Sequence, residues 1–168
     1  ELCHIVGLTP EAQTLEMAVG PGRIEQEIVI TAADCEESLA MLCAGGGGPV
    51  DFISIGCPHL SIDEIKDVAE YLRGKTVAKG VELQVWTDYA IKAMATVNGY
   101  TRIIEEAGGY VLTGSCPVAI GKESYQHATA MVMNGAKQAF TIRNKTDVPV
   151  YFGSVRQCLD AAVKGRWE

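Results

Sequence analysis

The chain of 168 residues is acidic, with 14 lysines and arginines against 21 aspartates and glutamates, and 48% of it is hydrophobic. That length suits one domain able to bury a core without disulfide staples, and a net charge of −7 argues against a nucleic-acid partner, whose phosphates draw excess Lys and Arg. No apolar run approaches the ~20 residues that cross a bilayer, and the opening "ELCHIVGL" lacks the basic start and apolar stretch of a secretory signal, so no membrane partner and a cytoplasmic location are expected.

In chain order, the run "LCHIVG" (Leu2–Gly7) is strand-like over Cys3–Gly7 and stands at the start with no Met before it; a piece of a longer protein is expected. Thr9 and Pro10 have the pattern of an N-cap followed by a first-turn proline, predicting a helix over Pro10–Ala18. Glu27–Thr31 reads as a strand and Cys35–Cys43 as a helix, with Asp34 and Glu37 at capping-box spacing. The loop Gly45–Gly48 is no phosphate cradle: it lacks a Lys-Ser/Thr ending and leads into a strand. Strand Asp51–Ile55 follows, then a helix over Ile62–Arg73 opened by a Ser61–Glu64 capping box and stopped at Gly74. Glu82–Trp86 reads as a strand, Tyr89–Ala107 as one long helix ended by Gly108, and Tyr110–Thr113 as a strand. A long connection, "GSCPVAIGKESYQHATAMVMN" (Gly114–Asn134), comes next; loops of that length in compact domains are usually functional or irregular. A short helix Ala136–Phe140, a strand Val148–Phe152 and a helix Ser154–Lys164 complete the chain. The strands are short and near-continuously apolar, as strands covered on both faces are. The expected fold is α/β, a three-layer αβα sandwich with a mostly parallel sheet, in a single domain over residues 1–168.

In such sheets ligands bind beyond the carboxyl ends of the strands. Gly56-Cys57-Pro58 follows one predicted strand and Gly114-Ser115-Cys116-Pro117 another. Glycine allows the sharp turn; the proline after each cysteine fixes the chain. Cys3, Cys35, Cys43 and Cys158 lie in strand or helix runs and read as small apolar residues. For Cys57 and Cys116 the choice between core sulfur, nucleophile and metal ligand stays open. A nucleophilic cysteine wants a histidine in reach, yet His59 is only two residues away and His127 is unplaced. Structural zinc wants four ligands, and no second pair at finger spacing is present. Thiolates from separate loops suit an iron–sulfur cluster with a further ligand elsewhere. His59 can orient a substrate, bond a cluster sulfur, or cap near Ser61. Asn134 can cap the helix at Ala136 or bind a ligand. Lys137, at a helix start where the macrodipole disfavours a cation, suits a paired anion or solvent.

The segments "HIVGLTPEA" (His4–Ala12), "GCPHLSIDEI" (Gly56–Ile65), "IIEEAGGYVLTGSCPV" (Ile103–Val118), "NGAKQAF" (Asn134–Phe140) and "FGSVRQC" (Phe152–Cys158) together resemble the catalytic, or large, subunit of aconitase X. The resemblance runs in order over nearly the whole chain and implies an aconitase-domain-like fold. It implies part of an iron–sulfur-dependent hydro-lyase, a dehydratase of a small hydroxy acid; family members act on mevalonate 5-phosphate in archaea and cis-3-hydroxy-L-proline in bacteria. Cys57 and Cys116 match two of the family's three cluster cysteines. The third would lie in an earlier part of the subunit, and Lys137 matches a lysine near the substrate. The partners implied are the remainder of the catalytic subunit and a small swivelling domain or subunit. The catalytic base would lie outside this chain, so the fragment alone is expected to be inactive and without its cluster. The competing reading is a non-catalytic αβα ligand-binding domain with a redox-sensitive thiol pair.

Overall fold

The structure, a computed structural model, describes residues 3–22 and 24–168. Glu1 and Leu2, the start of the opening run, lie outside the described residues. Contacts gather into two units, residues 1–35 and 36–168.

The first unit departs from the sequence expectation. Cys3–Gly7 forms no strand: it leads into a turn in which Thr9 Oγ1 accepts a hydrogen bond from Ile5 N at 2.9 Å and Gly7 N donates to Ala12 O. Thr9 is thus spent on the turn, and the helix α1 starts later, over Leu15–Val19, capped by Thr14. Glu27–Thr31 forms no strand and pairs with no other strand among the described residues, and its apolar side chains, such as Val29, are exposed. The helix α2, Ala32–Leu42, begins ahead of the expected cap. Thr31 and Asp34 exchange the capping bonds: Asp34 Oδ2 accepts from Thr31 N at 2.7 Å, and Thr31 Oγ1 accepts from Asp34 N.

The second unit is built on a five-stranded, wholly parallel sheet. After a short β1 (Gly48–Pro49) come β2 (Phe52–Leu60), α3 (Ile62–Leu72), β3 (Glu82–Thr87), α4 (Tyr89–Val97), α5 (Tyr100–Glu106), β4 (Gly109–Thr113), α6 (Pro117–Ile120), β5 (Met131–Met133), α7 (Ala136–Arg143), β6 (Val150–Phe152), α8 (Val155–Lys164) and β7 (Arg166–Trp167). The order across the sheet is β4-β3-β2-β5-β6. Three differences from the sequence reading have local causes. The long helix expected from Tyr89 is broken in two where Gly99, at φ 80°, takes a conformation that other residues avoid. β5 lies inside the stretch read as a connection. The small antiparallel pair of β1 with β7 ties Gly48 to Trp167.

Alternation along the strands sorts the core into two layers. Ile53 and Ile55 of β2, with Leu83 and Val85 of β3, pack under α3, α5 and α8 through Ile65, Val68, Ile104 and Leu159. On the opposite face Phe52, Met131 and Met133 pack against Ala139 and Ile142 of α7 and against Tyr125. That second face is partly polar. Trp86 Nε1 donates to Gln84 Oε1 at 3.0 Å, Gln84 Nε2 donates to Glu82 Oε1 at 2.6 Å, and Glu82 Oε2 lies 2.9 Å from His127 Nε2. Asp51, just ahead of β2, clamps the end of the long connection: it accepts from Thr129 N at 2.9 Å, Thr129 Oγ1 at 2.6 Å and Ala130 N at 3.1 Å.

Candidate functional site at the carboxyl edge of the sheet

Strand order reverses between β2 and β5: β2, β3 and β4 run out to one side, β5 and β6 to the other. Loops leaving neighbouring strands at such a point diverge and open a crevice, where open α/β sheets bind ligands. The GCPH stretch lies there. It is not a simple turn after the strand, as the sequence suggests, but a bulge within β2. Pairing with β3 runs to Ile55 opposite Val85 and resumes with Leu60 opposite Thr87, so five steps on β2 match two on β3. The extra residues carry Cys57 and His59 out of the ladder, with a cis Cys57–Pro58 bond. Gly56 is required at the bend: its φ is +108°, and a Cβ there would stand 2.3 Å from the main-chain oxygen of Trp86.

Three hydrogen-bonded links gather the neighbouring loops around this bulge. His59 Nε2 lies 2.9 Å from the Ser115 carbonyl oxygen, joining the two Cys-Pro turns. A carbonyl only accepts, so Nε2 carries the hydrogen of this bond. Gly56 N donates to Asn134 Oδ1 at 2.9 Å, fastening the loop after β5 to the bulge. Gln138, buried in α7, donates from Nε2 to Ser54 Oγ at 2.9 Å on the underside of β2. The N-terminus of α7 is pressed against the bulge: a Cβ on Gly135 would meet the Cys57 carbonyl oxygen at 2.4 Å.

The electrostatics agree with this gathering. Burial pushes the Cys57 thiol above its usual range, and the charge of Cys116 pushes the same way; the Lys137 ammonium and the main-chain N–H of Gln138 act against them. Cys57 and Cys116 are half-buried free thiols, whereas Cys158 is fully enclosed and pushed up to about 12 by burial. Among the described residues no three His, Cys, Asp or Glu side chains are gathered closely enough to hold a metal ion.

Of the residues singled out by sequence, Cys57, Cys116, His59, Asn134 and Lys137 therefore all stand at this edge. Asn134 does not cap α7 through its side chain; the cap is Gly135, without a side-chain bond, and Asn134 Oδ1 serves Gly56 instead. His59 is bonded to Ser115 rather than to Ser61, whose capping partner is Glu64. Sequence reasoning missed Ser54, Gly135 and Gln138. The signal was a glutamine at 138 beside Ala139 and four residues before Ile142, all three on the buried side of α7.

Residues 50–164 match the model of the aconitase X third domain. The chain belongs to the aconitase X family. It is 33% identical over 98% of its length to a cis-3-hydroxy-L-proline dehydratase of Hypocrea jecorina, and 34% identical over 98% to a phosphomevalonate dehydratase large subunit of Methanocaldococcus jannaschii. It spans 28% of the first relative and 38% of the second. Among solved structures, the holo-form of Thermococcus kodakaraensis aconitase X superposes with a TM-score of 0.68 at 29% identity, covering 83% of this chain and 36% of that one. The chain thus carries the αβα fold expected from its sequence, a parallel sheet flanked by helices. Among the described residues no helix is long and apolar enough to cross a membrane.

Proposed function

We propose that this chain is the part of an aconitase X hydro-lyase that supplies two cluster cysteines and contacts to an anionic substrate, within a larger catalytic subunit. One observation carries the reading. Two cysteines remote in sequence, Cys57 in the bulge at the strand-order reversal and Cys116 in the turn after the edge strand β4, belong to loops joined by the His59–Ser115 bond. The donor set fits a soft metal centre as a partial site. Both sulfurs are free, part-exposed and mutually repulsive when ionised, which a bound cation relieves. Cys57 and Cys116 would hold two positions of an iron–sulfur cluster, with the third ligand on the remainder of the subunit. Such a cluster, when bound, would supply a Lewis acid for departure of a substrate hydroxyl.

The chain's own groups have separate tasks. Lys137 carries a positive charge at the first turn of α7, next to Cys57, and holds a substrate carboxylate or phosphate. Asn134 has its oxygen committed to Gly56, so it offers the substrate its amide N–H. His59, fixed through Nε2, presents Nδ1, when the ring is neutral, as an acceptor that orients a substrate hydroxyl. The proton-removing base lies elsewhere in the subunit. The relatives' names fit a small hydroxy acid as substrate, and the term "large subunit" fits a second, smaller partner chain or domain that closes over the site.

The test is anaerobic reconstitution of the full-length enzyme with iron and sulfide. Cys57→Ser and Cys116→Ser should each abolish the cluster's visible absorbance. Retention of full absorbance by both variants would show the reading to be wrong.

A further inference from the structure

Gln138 is an anomaly in the core. Its side chain is 1% exposed, its Nε2 donates to the fully buried Ser54 Oγ, and its Oε1 has no hydrogen-bond partner among the described residues. A buried amide with an orphaned acceptor is a standing cost that an apolar side chain of the same size would remove. Such local violations of the packing rules are expected where function requires them. The location is suggestive. Ser54 stands three residues before Cys57 on β2, and the main-chain N–H of Gln138 faces the Cys57 sulfur. Gly135, one turn earlier, lets α7 approach until only a hydrogen fits against the Cys57 carbonyl oxygen.

We propose that Gln138 is a positioning residue: by gripping Ser54 beneath the bulge it locks the first turn of α7 to β2 and so holds the Cys57 sulfur at its ligand position. Ser54 and Gln138 form the anchor, Gly135 the close contact, and the Asn134–Gly56 bond the opposite side of the same clamp. Without the anchor the helix stays packed through Ala139 and Ile142, but its first turn is free to shift against the bulge. The inference rests on the reading of Cys57 as a cluster ligand, and its test separates the two.

The test is the double variant Ser54→Ala/Gln138→Met in the full-length protein. It removes both polar partners together and leaves no buried group unsatisfied, so the fold is preserved. A merely structural pair would lower the melting temperature; the positioning role predicts a melting temperature equal to or above that of the parent. In the reconstituted enzyme the variant should lose cluster absorbance in air about tenfold faster, the scale found when outer residues that orient metal ligands are removed. In metal-free protein, mass-mapped alkylation of Cys57 by N-ethylmaleimide should accelerate several-fold. If the parent assembles no cluster, the cluster reading fails and the alkylation arm alone decides the anchor. If cluster lifetime and alkylation both match the parent, or the melting temperature falls in step with their change, the positioning role is overturned.

Discussion

Replacing Gly56 by alanine tests whether the bulge is held by contact with β3. A Cβ at Gly56 would lie 2.3 Å from the main-chain oxygen of Trp86 and 3.0 Å from its carbonyl carbon. Relieving that overlap requires β2 and β3 to part by about 1 Å, in a sheet whose strands sit about 4.8 Å apart. Forcing atoms into a packed site costs about 1–3 kcal/mol, and holding alanine at φ +108° adds about 1–3 kcal/mol. A loss of about 4 kcal/mol lowers the melting temperature of a domain this size by about 8–16 °C. Gly74→Ala is the control. Gly74 also has positive φ, at +72°, but nothing lies within 4 Å of its Cβ position. Only the conformational term of about 1 kcal/mol remains there, or about 2–4 °C. Thermal unfolding of the two purified variants beside the parent gives the comparison. Equal losses for Gly56→Ala and Gly74→Ala would refute the contact with Trp86 as the source of the constraint.

Other outcomes follow from the same geometry. Asp51→Ala strips the partner from Thr129 N, Thr129 Oγ1 and Ala130 N and should cost about 2 kcal/mol, with faster proteolysis in the Gly114–Ala130 connection. Burial raises the Asp51 carboxyl, but the Thr129 hydroxyl and the main-chain N–H groups of Ala130 and Thr129 outweigh it and hold it low. Its contribution is therefore complete above the ordinary carboxyl pKa near ~4 and fades as pH falls through the lower folded value; a parent and an Asp51→Ala variant with parallel acid-denaturation curves would contradict this. Tyr71 OH donates to Asp160 Oδ1 at 2.5 Å, and burial and that bond push the phenol up to about 12. Ultraviolet titration should show one late-ionising tyrosine that disappears in Tyr71→Phe; its stabilisation is full below the ordinary phenol range near ~10 and lost as pH rises towards the folded value. Cys158, enclosed and pushed up to about 12, should react with thiol reagents only on unfolding, well after the exposed Cys35; mass-mapped labelling in native buffer checks the order.

Much of the second unit was legible because its strands and helices carry strong local signals. Ser61 and Glu64 form the expected capping box, Ser154 and Gln157 form another, and Gly74 and Gly108 follow helix ends with positive φ. The runs at Cys3–Gly7 and Glu27–Thr31 misled because an apolar run states a preference for extended backbone, while a strand also needs a hydrogen-bonding neighbour. β5 was hidden by its brevity: the Met131–Met133 run sits at the end of a polar connection, and its strand character comes from pairing with β2 and β6. At the site, both cysteine turns could be read from Gly-Cys-Pro and Ser-Cys-Pro. The bulge could not, since it depends on where pairing with β3 resumes. Nor could the use of Asn134 as a clamp on Gly56, a contact between residues remote in sequence.

The row of Trp86, Gln84 and Glu82 has a further consequence. An indole N–H can only donate, so Gln84 must turn its oxygen to Trp86 and its amide hydrogens to Glu82. The row therefore has a single permitted direction and ends on a carboxylate facing His127. Slipping β3 by one residue would swing all three polar groups into the layer of Ile53 and Ile55 and turn Leu83 and Val85 to the other side. Apolar strands beside one another tolerate several offsets; this row rules out a one-residue offset of β3, and so helps fix the alignment on which the spacing between Ile55 and Leu60, and hence the projection of Cys57, depends.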